Sequence, residues 1–113
     1  NASIVHLMKA TITEIAVTDL IVGHAREVLR IARDDEPEAL RAADCDYPPI
    51  VRRVESGYIV VDGFHRLAGM VAAEETTLPV VVVTDADDLC ARIDCDTSID
   101  APEIASIYAA VGL

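Results

Sequence analysis

The run Leu78-Pro-Val-Val-Val-Val-Thr84 constrains this chain more than any other feature. Consecutive β-branched residues favour an extended backbone, and the absence of any polar alternation means that neither face of the strand is meant for water. The run therefore predicts a strand over Val80 to Thr84, led by Pro79, lying centrally in a sheet or under helices. A strand covered on both faces needs other elements to cover it. The chain has 113 residues, of which 52% are hydrophobic, enough to fill one core. The expectation is a single α/β (α+β) domain, a small mixed sheet with helices. The longest apolar run, Leu78 to Val83, is far below the roughly 18 residues of a membrane span.

The covering elements can be read along the chain. Thr11 to Val17 begins as polar and apolar alternation and predicts a strand, followed by a turn at Thr18-Asp19. From about His24 to Arg33, Val28, Leu29, Ile31 and Ala32 alternate with Arg26, Arg30 and Arg33, the pattern of a helix carrying an arginine stripe. Pro37 to Ala43 suits a second, short helix. Tyr47-Pro48-Pro49 interrupts the chain and leads into a hairpin, Ile50 to Val54 and Tyr58 to Val61, around Glu55-Ser56-Gly57. Phe64, Leu67, Ala68, Val71 and Ala72 recur at helical spacing and predict a core-packed helix from Phe64 to about Glu75. In the tail, Ala86 to Arg92 and Ala101 to Val111 read as helices, the second with Asp100 as N-cap and Gly112 as its stop. Residues 1–10 read as an appended, disordered start with Met8 as a candidate natural beginning, 11–84 as the core, and 85–113 as an acidic helical extension packed on it.

Charge narrows the function. The 9 basic and 20 acidic residues give a net charge of −11, which would repel a phosphate backbone, so direct nucleic-acid binding is not expected from this chain alone. Residues 85–113 carry 1 basic and 7 acidic residues, a surface suited to a basic protein partner. Three cysteines, an odd count without C-x-x-C spacing, indicate neither a disulfide framework nor a structural zinc site and fit a reducing cytoplasm. Cys45, Cys90 and Cys95 read as small apolar residues rather than nucleophiles. No membrane association is expected.

The stretch that carries chemistry is Tyr58-Ile-Val-Val-Asp62-Gly63-Phe64-His65-Arg66-Leu-Ala68-Gly69. It places a strand, a glycine turn and a helix whose first turn bears His and Arg in immediate succession. The first N–H groups of a helix lack intrahelical partners and carry the positive end of its dipole, so such a turn suits an anion. Gly63 would let phosphate approach the backbone, Arg66 would grip its oxygens, and His65 would donate a hydrogen bond or proton. Asp62 would orient Mg²⁺ or a reacting hydroxyl. Asp62 and His65 are thus the candidate catalytic groups, and two such ligands without a third do not predict a metal site of their own. The same pattern also suits a plain turn in which Asp62 caps the helix while His65 and Arg66 are solvated.

With Pro49-Ile-Val upstream and Leu78-Pro-Val-Val-Val downstream, the motif resembles the phosphate-binding core of the ParB/sulfiredoxin-like superfamily, over about Ile12 to Val83. The resemblance implies that fold and a nucleotide at the Gly63-Phe64-His65-Arg66 turn. His24-Ala25-Arg26 is similar to the upstream Gln-x-Arg of ParB-type partition proteins, which bind CTP. It therefore implies that Arg26 closes the site, while His24 reads equally as facing the nucleotide or as a loop histidine capping local backbone. The later Glu-Asn-x-x-Arg motif and helix-turn-helix of those proteins have no counterpart here. Sulfiredoxin carries cysteine where this chain has Phe64, so sulfinic acid repair is not implied. The branch of ADP-dependent free-serine kinases, with Asp-Gly-His-His-Arg and then Ala-Gly, is most similar in the motif. Its catalytic Glu after an upstream His aligns with Ala25, and Glu27 stands two residues later. The expected function is nucleotide di- or triphosphate binding (ATP, ADP or CTP, with Mg²⁺ as a candidate companion), extending to an NTPase or small-molecule kinase. The alternative is an inactive ParB-like regulatory, partition or protein-interaction module.

Overall fold

A computed structural model of the chain describes residues 9–35, 47–84 and 101–113. Its elements are strand β1 (Lys9–Ile15), a 3-10 turn at Val17–Asp19, helix α1 (Val22–Asp34), strands β2 (Ile50–Val54) and β3 (Gly57–Asp62), helix α2 (Phe64–Ala72), strand β4 (Leu78–Thr84) and helix α3 (Ala101–Ala110). The expected helices over 37–43 and 86–92, the cap at Asp100 and the three cysteines lie outside the described residues.

The four strands form one mixed sheet in the order β1-β4-β2-β3. The valine-rich β4 is an inner strand, antiparallel to β1 from Lys9 opposite Thr84 to Ile15 opposite Leu78, and parallel to β2 from Ile50 opposite Val81. Its side chains divide between two cores. Leu78, Val80 and Val82 join Val28 and Ile31 of α1, Leu67 and Ala68 of α2, Val51 and Val60 on one face of the sheet. Val81 and Val83 join Ile50 with Ile107 and Tyr108 of α3 on the other. The absence of alternation in β4 thus has its cause in a helix layer on each side. Pro79 precedes the stretch of β4 paired with β2, where its missing N–H breaks no bond to that neighbour.

Several boundaries differ from the sequence expectation. β1 spans Lys9–Ile15 rather than 11–17, so Lys9 and Ala10 belong to the sheet and not to a disordered start. The hairpin turns on Glu55-Ser56 alone, with Gly57 already paired to Val54. Gly57 has φ +143°, and a Cβ there would collide with the Asp19 carbonyl oxygen, because the turn before α1 packs against the start of β3. α2 ends at Ala72, three residues before Glu75, and Glu74 adopts a left-handed φ of 64° that turns the chain toward β4.

The outer edge of β3 is closed by the segment that enters α1. The Ile21 N–H donates to the Tyr58 carbonyl, and the Val60 N–H donates to His24 Nδ1 at 2.8 Å. An edge that would otherwise offer unpaired backbone groups to another strand is thereby covered. At its far end β3 carries an extra residue: Val51 faces Val60 while Ile50 faces Asp62, leaving Val61 as a bulge. This bulge re-aims the strand where it delivers Asp62 to the turn before α2.

Candidate functional site

The turn between β3 and α2 is built around one glycine. Gly63 is the N-cap of α2 with φ +110° and ψ 34°, a left-handed conformation costly to residues with a Cβ, and its carbonyl accepts the first helical bond from Leu67 N–H. A Cβ at this position would lie 2.9 Å from Pro49 Cβ and 3.0 Å from both Nε and Nη2 of Arg66. The space cleared by the glycine is therefore lined by the Arg66 guanidinium itself.

Arg66 lies at the centre of the site. Its Nη2 donates to Asp62 Oδ2 at 2.7 Å, one helical turn back along the chain. Its Nη1 donates to the Tyr108 hydroxyl at 2.7 Å and to the Tyr47 carbonyl at 2.9 Å, with the Pro48 carbonyl at 3.5 Å. The Tyr108 hydroxyl in turn donates to the Pro48 carbonyl at 2.6 Å, and the Tyr47 and Tyr108 rings pack with centroids 4.9 Å apart. One guanidinium thus ties together the end of β3, the chain entering β2 and helix α3. The Arg66 side chain is 15% exposed and that of Asp62 40%, so the carboxylate is on the solvent side of the pair.

The other expected site residues divide clearly. Gly63, Asp62 and Arg66 are brought together. His65 leaves the turn in another direction: its side chain is 61% exposed, and Nε2 lies 3.4 Å from Asp35 Oδ2, just past α1. Asp62 and His65 therefore do not meet as a catalytic pair, each facing a different partner. His24 sits on the packed face of α1, accepting from Val60 N–H through Nδ1, with its ring edge-on to Phe64 at 5.0 Å. It therefore lies beside the first residue of α2, held by a backbone bond. Arg26 is exposed. Residues two apart on a helix are about 200° apart around its axis, so Arg26 lies on the solvent face, opposite His24 and the buried Val28 and Ile31. The structure does not bring it to the turn.

The remaining arginines of the stripe make local ion pairs. Arg30 pairs with Glu27, and Arg33 with Asp34 at 2.8 Å. The Arg30 hydrogen bond, followed by the charges of Arg30 and His65, holds the Glu27 carboxyl below its usual range, and Arg33 does the same to Asp34. Among the described residues no three His, Cys, Asp or Glu side chains gather as a metal site. Asp62 is poorly placed to hold Mg²⁺ alone, because a divalent ion on its Oδ2 would sit beside the Arg66 guanidinium.

The sequence reading missed Tyr47, Pro48 and Tyr108 as parts of this site. Tyr47-Pro48 is visible as a chain break and Tyr108 as an apolar position of a helix. The contacts span 19 and 42 residues, beyond any local pattern. Among the described residues no helix is long and apolar enough to cross a membrane. Compared with known proteins, the chain matches no family model and no curated protein.

Proposed function

We propose that this α+β domain binds the phosphates of a nucleotide at the turn between β3 and α2, as its resemblance to ParB/sulfiredoxin-like domains implies. The observation that carries the reading is the junction itself: a left-handed Gly63 at the head of a nine-residue helix, with the Arg66 guanidinium alongside it and a partly exposed carboxylate as that cation's partner. A helix start combined with an arginine favours a dianion over a neutral ligand. Gly63 and Arg66 hold the phosphates, and His65 contributes from the exposed side of the first turn. Binding is better supported than phosphoryl transfer, since Asp62 faces Arg66 and His65 faces Asp35 rather than one another. Mg²⁺ would enter with the nucleotide.

The test is a thermal-shift panel of ATP, ADP, CTP, GTP and inorganic phosphate, each with and without Mg²⁺. A ligand at 100 times its dissociation constant stabilises a fold by about 2.7 kcal/mol. His65→Ala is the informative variant because its side chain is largely in solvent, whereas Arg66→Ala would also remove the tie to Tyr47 and Tyr108. A shift selective for one nucleotide and reduced in His65→Ala is the expected result.

A second reading, a ParB-like regulatory or protein-interaction module without ligand chemistry, is favoured by one observation: the Arg66 donors already engage protein acceptors on three segments. In that case the turn is scaffolding, and the acidic surface meets a basic partner. Absence of a shift with every ligand, together with recovery of a basic partner, would select it.

A further inference from the structure

Arg66 uses its two terminal nitrogens differently. Nη1 is held by acceptors without formal charge, the Tyr47 carbonyl and the Tyr108 hydroxyl. Nη2 donates to a full negative charge, the Asp62 carboxylate, and the Nε and Nη2 edge runs along the open side of Gly63. That edge is the planar fork with which arginine takes a carboxylate or phosphate oxygen pair. The cation is thus fixed from one side and neutralised from the other. Asp62, 40% exposed against 15% for Arg66, is the member of the pair free to turn toward water.

From this we infer that Asp62 is the resident counter-anion of Arg66, occupying the place an incoming phosphate dianion would take and setting the threshold an anion must exceed to enter. The inference rests on the phosphate-binding reading and assigns Asp62 a role opposite to a catalytic one: it competes with the ligand instead of assisting it. A singly charged carboxylate from solution has no advantage over the tethered Asp62 carboxylate, whose effective concentration is high. A phosphate dianion brings more charge and a third oxygen for the head of α2. The site is thereby selective for phosphate over carboxylate ligands.

The experiment is titration of inorganic phosphate, and separately of ATP, into the wild-type chain, Asp62→Asn and Glu75→Gln, followed by calorimetry at fixed ionic strength. The amide keeps one oxygen for Arg66 but gives up the charge; Asp62→Ser serves as a second variant if the first does not fold. Glu75, exposed beyond the opposite end of α2, controls for general loss of negative charge. The expected result is a dissociation constant about tenfold lower in Asp62→Asn, the scale of one charge-assisted bond, with less than about a twofold change in Glu75→Gln, whose charge acts through screening solvent. Binding by Asp62→Asn where the wild type shows none would support the inference equally. Equal or weaker binding by Asp62→Asn than by a wild type that does bind overturns it and leaves the phosphate-binding reading standing. An equal gain in both variants overturns it as a mere effect of net charge. Binding by none of the chains overturns the phosphate-binding reading and this inference together.

Discussion

Tyr108→Phe isolates the contribution of the contact that joins α3 to the turn. The change removes a hydroxyl that donates to the Pro48 carbonyl at 2.6 Å and accepts from Arg66 Nη1 at 2.7 Å, while the ring, its packing on Tyr47 and its burial remain. A neutral hydrogen bond contributes about 1 kcal/mol and one to a charged group about 1.5–3 kcal/mol. Arg66 Nη1 keeps the Tyr47 carbonyl at 2.9 Å, so the lower part of the second range applies. Pro48 fares worse, since its remaining contact to Arg66 is 3.5 Å long. Tyr108 is 7% exposed, which limits replacement by water. The expected loss is about 2 kcal/mol in urea denaturation, or roughly 8 °C in Tm at about 4 °C per kcal/mol for a domain of this length. In a double-mutant cycle with Arg66→Met the two changes should be non-additive by about 1 kcal/mol or more. A loss under about 0.5 kcal/mol, or additivity of the two substitutions, would refute the view that Arg66 and Tyr108 act as one unit.

Two further outcomes follow from the local geometry. Gly63→Ala should destabilise the chain by about 3 kcal/mol, combining a left-handed backbone with a Cβ pressed on Pro49 and Arg66; a denaturation midpoint equal to wild type would show that the turn relaxes freely. The Glu27 carboxyl, held below its usual range by Arg30, should titrate at lower pH than a free glutamate in a carboxyl-detected NMR titration. Its pairing therefore favours the folded state above the ordinary glutamate range and is lost as pH falls through the lowered value. Arg30→Gln should return the titration toward that range, and the exposure of the pair keeps the effect on stability small.

Much of the fold was legible because it rests on short-range chemistry. The unalternating valines required cover on two sides and became an inner strand between two cores. The apolar spacing of Leu67 and Ala68 marked the packed face of α2, and the Glu55-Ser56-Gly57 signal located the hairpin, though with Gly57 in the strand. What depends on distant partners was not legible. The order β1-β4-β2-β3 leaves no local pattern, since either neighbour of an apolar strand satisfies it equally. Val22 and Gly23 join α1 because the segment before them is tied to β3, not through any propensity of their own. The same limit explains the site. Gly63 and Arg66 belong together through spacing alone, whereas Tyr47 and Tyr108 reach Arg66 only through the way the sheet brings two remote segments to its end. Arg26 shows the converse. A likeness in sequence order, His-x-Arg, places it beside His24, while helical geometry sends residues two apart to opposite sides.

The electrostatics of the turn bear on both functional readings. The Tyr47 carbonyl and Tyr108 hydroxyl satisfy hydrogen bonds of Arg66 without supplying charge, and a largely buried guanidinium is stabilised by a counter-charge. Among the described residues Asp62 supplies one, from a position more open to water than Arg66 itself. If the turn is scaffolding, that ion pair completes it and neutralising Asp62 can only weaken the fold. If the turn binds phosphate, an external anion can take over the role, and the stability lost with Asp62 returns on adding it. By linkage, an anion that binds only the folded state adds stability that grows with its concentration, so phosphate should progressively offset the loss in Asp62→Asn. Stability measured against phosphate concentration in Asp62→Asn therefore separates the two readings even where wild-type binding is too weak to observe directly.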